Sequence, residues 1–223
     1  VSRETYFHCP LDYALACRAV EFMERYPVSI NLYFDDKLYV KEIDDRVRGY
    51  AELSRVEAYP VGDLIAFMGG DAQVIAERMV NGRQDSSHDD NDRCGCGGDG
   101  TKVGPTKILA IGKPEDLAVI REDMLSEFKD TLYITGSQPQ YLELMANGVS
   151  KANALQMLAK RFGIPRQNIM AVGDSHNDVE MLEYAGIGVA VANAVGRARE
   201  EADYVTSALY SDGVAEAIRK FVL

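Results

Sequence analysis

A chain of 223 residues, 47% hydrophobic and 26% charged, is long enough for one large or two small globular domains with a real core. Its net charge of −11 argues against nucleic acid and anionic membrane as partners, although a local lysine and a cation can still draw a phosphate ester into a pocket. No apolar run reaches the length of a membrane span, and Cys9, Cys17, Cys94 and Cys96 lack the spacing of a disulfide framework, so a reducing cytoplasm is the expected setting.

Glu4–Cys9 reads as a short strand, and Asp12 as the cap of an amphipathic helix carrying Leu15, Ala16, Ala19, Val20, Phe22 and Met23. Val28–Phe34 and Leu38–Val40 are β-branched and aromatic, with Asp35-Asp36-Lys37 between them as a hairpin turn. Asp44–Leu53 is expected as a polar helix, Val56–Tyr59 and Asp63–Met68 as strands, and Asp71–Val80 as a short helix. Residues 81–105 hold almost nothing that can be buried and read as a disordered insertion. Within it, His88, Cys94, Cys96 and Asp99 lack the ligand spacing of a zinc site, and the acidic run lacks that of a calcium loop. Order resumes with a strand at Thr106–Ile111, a helix from Pro114 to about Phe128, and strands at Thr131–Thr135 and Tyr141–Met145.

From Ser150 the pattern becomes a regular alternation. Ser150 caps a helix that stops at Gly163, and then follow strand 169–172, helix 177–184, strand 187–191, helix 195–201, strand 203–205 and a helix capped by Asp212. Apolar strands separated by helices imply a parallel, doubly wound sheet. At its centre the apolar run Ile169–Val172 stops at Gly173, Asp174 stands where the strand ends, and Asn177 and Asp178 open the next helix. Chemistry in open α/β sheets gathers at the carboxyl ends of strands. Two carboxylates there suit Mg²⁺, while an N-capping pair at a βα turn is the competing reading. Lys151 lies in the first turn of its helix, where a cation opposes the macrodipole but is well placed to hold an anion.

Four segments carry a resemblance: GVSKANAL (with Ala152 where glycine is usual), GDSHND, GVAVANA and the terminal DGVAEAIRKFVL. Together they resemble the C-terminal half of the haloacid-dehalogenase-like (HAD) phosphatases, specifically the Cof-type group with a large α/β cap. The resemblance is close over residues 131–223 and looser over 1–130. It implies an α/β fold in which a doubly wound parallel, Rossmann-like half-core (141–223) carries an α+β cap domain (1–140). It also implies a Mg²⁺-dependent phosphatase of small phosphorylated metabolites that works through an aspartyl-phosphate. Lys151 would neutralise nucleophile and phosphate, and Asp174 would bind Mg²⁺. Asp178 would hold a metal-bound water or orient Lys151, Asn177 would bond phosphate or fix its loop, and Asn193 would approach the phosphate or the cap.

The nucleophile motif of that family, an apolar strand ending in Asp-x-Asp-Gly-Thr, is absent; Tyr33-Phe-Asp-Asp-Lys does not match it. A chain that opens on Val1 and starts at the cap therefore reads as a fragment lacking about 80–90 residues, inactive alone, whose strand 169–172 should lie at a sheet edge. The alternative is a non-catalytic binding or regulatory module that kept the fold and lost the nucleophile.

Overall fold

The computed structural model describes residues 7–74 and 102–223. The chain divides into two compact units, one running to Ile134 and taking in Pro139–Asn147, the other made of Thr135–Gln138 and Gly148–Leu223.

The first unit opens with α1 (Tyr13–Met23), whose first turn is closed by the Asp12 carboxylate accepting from Leu15 N at 2.9 Å. Strands β1 (Ser29–Phe34) and β2 (Lys37–Val40) form the expected hairpin. Phe34 pairs with Lys37, leaving a two-residue turn in which Asp35 and Asp36 both take positive φ, 49° and 56°. Asp tolerates that region, and two such residues in succession match the right-handed twist of the flanking strands. Helix α2 (Asp45–Ser54) and strand β3 (Ala58–Pro60) follow.

Asp63–Met68 is a helix, α3 (Leu64–Gly69), and not the expected strand. Asp63 caps it by accepting from Ile65 N and Ala66 N, and Leu64, Phe67 and Met68 are buried at helical spacing. A run of five apolar residues, Leu64–Met68, carries both periods, and the acidic cap decides between them. Beyond it come β4 (Lys107–Ile111), α4 (Pro114–Glu127), β5 (Leu132–Thr135) and β6 (Tyr141–Ala146).

The sheet order is β3-β2-β1-β4-β6-β5, with β1 antiparallel to β2 and β4, β4 antiparallel to β6, and β2 parallel to β3. Alternate strand residues (Ile30, Leu32, Ile108, Ala110, Leu142, Leu144) join Val20, Met23, Phe67, Ile120 and Met124 of the helices in one core. β6 pairs with β4 in this sheet, and Pro139–Asn147 group with the first unit. The alternation of apolar residues in Tyr141–Ala146 is that of a half-buried antiparallel strand, whereas residues beyond Gly148 carry the βα rhythm.

Three further readings are revised. Phe7–Cys9 carry no strand, and residues 4–6 lie outside the described residues. So do 75–101, which hold most of the supposed insertion and its His88, Cys94, Cys96 and Asp99. Lys102–Pro105 belong to the fold: Val103 bridges Asp12, its N and O are both bonded by the Gln73 amide, and Leu11 N donates to Pro105 O at 2.9 Å. Finally, Cys9 is buried and disulfide-bonded while Cys17 is free. Sequence spacing did not announce that bond, because pairing depends on which sulfurs the fold brings together.

In the second unit, Ser150 Oγ accepts from Asn153 N and starts α5 (Lys151–Phe162), which Gly163 ends at φ +63°. Strands β7 (Met170–Gly173), β8 (Ile187–Ala190) and β9 (Tyr204–Val205) are parallel in that order, and β7 lies at an edge among the described residues. Between them run α6 (Val179–Tyr184) and α7 (Gly196–Glu201), and Ala171, Val179, Leu182, Ala190, Val191 and Ala198 fill the core. This is the expected parallel α/β arrangement. Among the described residues no helix is long and apolar enough to cross a membrane.

The last helix, α8 (Tyr210–Phe221), starts two residues before the expected cap Asp212, which lies in its first turn. Leu209, at the cap position, contributes no side-chain bond. The acceptor comes instead from a distant loop: Asn193 Oδ1 takes Tyr210 N at 2.8 Å. A cap supplied from seventeen residues upstream leaves no local trace in the sequence.

Glu216 then locks α8 to the turn after β9, accepting from Ser207 N, Ser207 Oγ, Ala208 N and Tyr204 Oη. The Ser207 N–H, with these other donors, lowers its pKa from the ordinary 4.5 to about 2. The stability it contributes is therefore full above about pH 4.5 and is lost as pH falls through 2. Thermal melts should show Glu216→Gln less stable than the wild type at neutral pH, with the two curves converging in acid.

Candidate active site

β7 ends at Gly173, and the chain turns over Asp174 and Ser175 into a 3₁₀ turn, His176–Asp178, that leads into α6. Ser175 and Asp178 form a capping box: the serine side chain accepts from the Asp178 backbone, and the aspartate side chain accepts from Ser175 N. The turn brings the Asp178 carboxylate back under the strand end. Its Oδ2 accepts from Asp174 N and Ser175 N, both at 3.0 Å, and its Oδ1 takes the Lys151 ammonium at 2.5 Å.

Asp178 is 4% exposed, whereas the Lys151 side chain is 50% exposed. Burial alone would raise the Asp178 pKa. The ammonium and the two backbone N–H groups outweigh it, and the net shift is downward. The ion pair also explains how a lysine is tolerated in the first turn of α5, since the carboxylate offsets the macrodipole.

Gly173 makes this approach possible. A Cβ there would lie 2.5 Å from Asp178 Cβ and 2.8 Å from its Cγ, so no side chain fits while Asp178 holds its place. Gly188 on β8 is similarly constrained, because a Cβ would come within 2.4 Å of Leu182 O.

The five residues singled out from the sequence do not all converge. Lys151 and Asp178 pair through their side chains at the end of β7, and Asp174 joins them through its backbone N–H. Asp178 has both oxygens engaged, Oδ1 by the Lys151 ammonium and Oδ2 by Asp174 N and Ser175 N. The Asp174 carboxylate meets, among the described residues, only the Ser175 hydroxyl, at 3.2 Å. Asn177 Oδ1 is buried and has no hydrogen-bond partner among the described residues. Asn193 Oδ1 caps α8, and its loop reaches the site through the backbone, where Val195 N donates to Asp174 O at 2.9 Å.

Among the described residues no three His, Cys, Asp or Glu side chains cluster as a complete metal cage. The oxygens at the turn, the Asp174 carboxylate and the buried, unpartnered Asn177 Oδ1, are hard and sparse. That fits Mg²⁺, which keeps several waters and binds through one or two carboxylates, better than a metal needing an all-protein shell.

Ser175 and its partner Ser137 were not anticipated. Ser137 O accepts from Ser175 Oγ at 3.1 Å, which ties Thr135–Gln138 to the Asp174 turn. The S-x-x-D spacing of Ser175 and Asp178 was the legible signal for the capping box; nothing in the sequence marks Ser137.

A family model described as haloacid dehalogenase-like hydrolase matches residues 1–218. The chain belongs to the haloacid dehalogenase-like hydrolases. It is 44% identical over 106 residues to the 5-amino-6-(5-phospho-D-ribitylamino)uracil phosphatase YcsE of Bacillus subtilis, a match covering 47% of this chain and 43% of that one. It is 42% identical over 114 residues to the phosphoglycolate phosphatase of Methanothermobacter thermautotrophicus, covering 51% and 50%. The matched stretches thus span about half the length of these HAD relatives. A HAD-like hydrolase from B. subtilis superimposes with a TM-score of 0.70 over 98% of this chain and 73% of its own, at 23% identity, a likeness of fold alone.

Proposed function

We propose that the second unit supplies the cation- and anion-holding side of a Mg²⁺-dependent phosphomonoesterase site, acting on a small phosphorylated metabolite, and that the first unit is its cap. Membership of the HAD-like hydrolases and the phosphatase names of two relatives support the reaction class. The observation that carries the reading is the Lys151–Asp178 pair bonded to the Asp174 backbone N–H at a strand end, where the Asp174 carboxylate meets only the Ser175 hydroxyl among the described residues.

In this reading Asp178 keeps Lys151 aimed, and the ammonium neutralises phosphate oxygens as the attacking group approaches. Asp174 would hold Mg²⁺, and Asn177, whose buried Oδ1 has no hydrogen-bond partner among the described residues, would bond the phosphate or fix the loop. When bound, the ion draws charge from the phosphoryl oxygens. No aspartate motif of the nucleophile type lies in residues 1–223, so the carboxylate that forms the aspartyl-phosphate comes from other polypeptide, and this chain alone turns over no substrate.

The test is a phosphatase screen of the product of the complete coding sequence, with Mg²⁺, with EDTA, and as Asp174→Ala. Activity should fall on the order of 100-fold in the second and third cases. Equal activity in all three would remove Asp174 from the metal role. The missing motif also favours a second reading, a regulatory module without catalysis. A complete product that binds Mn²⁺ through Asp174 yet hydrolyses nothing would establish it.

A further inference from the structure

Ser175 has one hydroxyl proton and two acceptors, Ser137 O at 3.1 Å and Asp174 Oδ1 at 3.2 Å. The rest of the residue is fixed. Its oxygen accepts from the Asp178 backbone in the capping box, and its own N–H is held by Asp178 Oδ2. Rotation about the Cβ–Oγ bond is the freedom left to it, and that rotation chooses the acceptor.

The two acceptors differ in kind. An ionised carboxylate makes the stronger, charge-assisted bond, so a bare Asp174 takes the proton. A cation on Asp174 withdraws charge from Oδ1 and weakens it as an acceptor, which leaves the Ser137 carbonyl as the better partner. Ser137 lies in Thr135–Gln138, a four-residue strap that leaves β5 and returns to β6 in sequence while grouping with the second unit.

We infer that Ser175 is a positioning residue whose hydroxyl couples cation occupancy at Asp174 to the Thr135–Gln138 strap. The ion frees the proton to hold Ser137, and the anchored strap in turn leaves Oδ1 available to the ion. By linkage, anything that tightens the strap strengthens cation binding by the same factor. This inference rests on Asp174 being the cation ligand, and the experiment separates the two.

The product of the complete coding sequence is compared as wild type, Ser175→Ala, Ser175→Thr and Asp174→Ala. Mn²⁺ binding is read by electron paramagnetic resonance, and backbone hydrogen exchange over 135–140 is read with and without Mg²⁺. Mg²⁺ should slow exchange of the wild-type strap by about 5-fold, the scale of one ordinary hydrogen bond. The slowing should vanish in Ser175→Ala and return in Ser175→Thr, which keeps the hydroxyl. Mn²⁺ affinity should fall several-fold in Ser175→Ala and much further in Asp174→Ala. A purely structural capping role would make the strap exchange faster in Ser175→Ala but leave its response to Mg²⁺ intact, and that result overturns the coupling. Equal Mn²⁺ binding by wild type and Asp174→Ala overturns the cation reading itself, and the coupling with it.

Discussion

Gly173→Ala should lower the unfolding midpoint of the second unit by on the order of 10–20 °C, corresponding to about 3 kcal/mol in a domain of this size. The added methyl cannot be absorbed by a flexible neighbour. It meets the Cβ and Cγ of Asp178, at 2.5 and 2.8 Å, and that side chain is pinned by Lys151 Nζ and two backbone N–H groups. Overpacking of this sort costs about 1–3 kcal/mol. Evicting the carboxylate strips acceptors from Asp174 N and Ser175 N, adding about 1–3 kcal/mol for donors left unsatisfied in a part-buried turn. Gly196→Ala is the control. Nothing lies within 4 Å of a Cβ there, so the same change should be neutral or slightly stabilising. A Gly173→Ala protein that melts with the wild type would mean that Asp178 is not held as described.

Much of this architecture was legible because local chemistry and tertiary packing agree. Asp12, Ser150 and Gly163 mark helix ends, the paired aspartates mark the β1–β2 turn, and three apolar runs between helices mark the parallel sheet. Where the readings failed, a non-local contact had the deciding vote. The start of α8 is set by Asn193, and the order of Lys102–Pro105 by Gln73 and Leu11. At the site, the residue types of Lys151, Asp174 and Asp178 pointed to cation and phosphate chemistry, but their division of labour did not show. Only the geometry distinguishes a carboxylate with three donors from one with a single hydroxyl partner. That difference in donor number is what the proposed division between a positioning carboxylate and a cation-binding one rests on.

That division leads to a second large effect. Asp178→Asn preserves shape but replaces an ion with an amide whose N–H groups face an ammonium or two backbone donors. Hydrogen bonds to a charged acceptor contribute about 1.5–3 kcal/mol each against about 1 for neutral ones. Lys151 is half exposed, so solvent screens its share and most of the loss falls on the Asp174 and Ser175 donors. A destabilisation of about 2 kcal/mol at neutral pH is expected. Its pH dependence carries the diagnosis. The folded-state pKa of Asp178 lies below the ordinary aspartate value, so the wild type gains stability above that value and loses it as pH falls through the folded one. Urea melts from pH 7 downward should therefore show the wild-type and Asp178→Asn stabilities drawing together in acid. Lys151→Met should cost less, about 1 kcal/mol, because two N–H groups still serve the carboxylate. The double variant should cost less than the sum, since the pair is in direct contact. A gap between wild type and Asp178→Asn that widens in acid would mean the carboxylate is destabilised where it sits, and the orientation of Lys151 would need another cause.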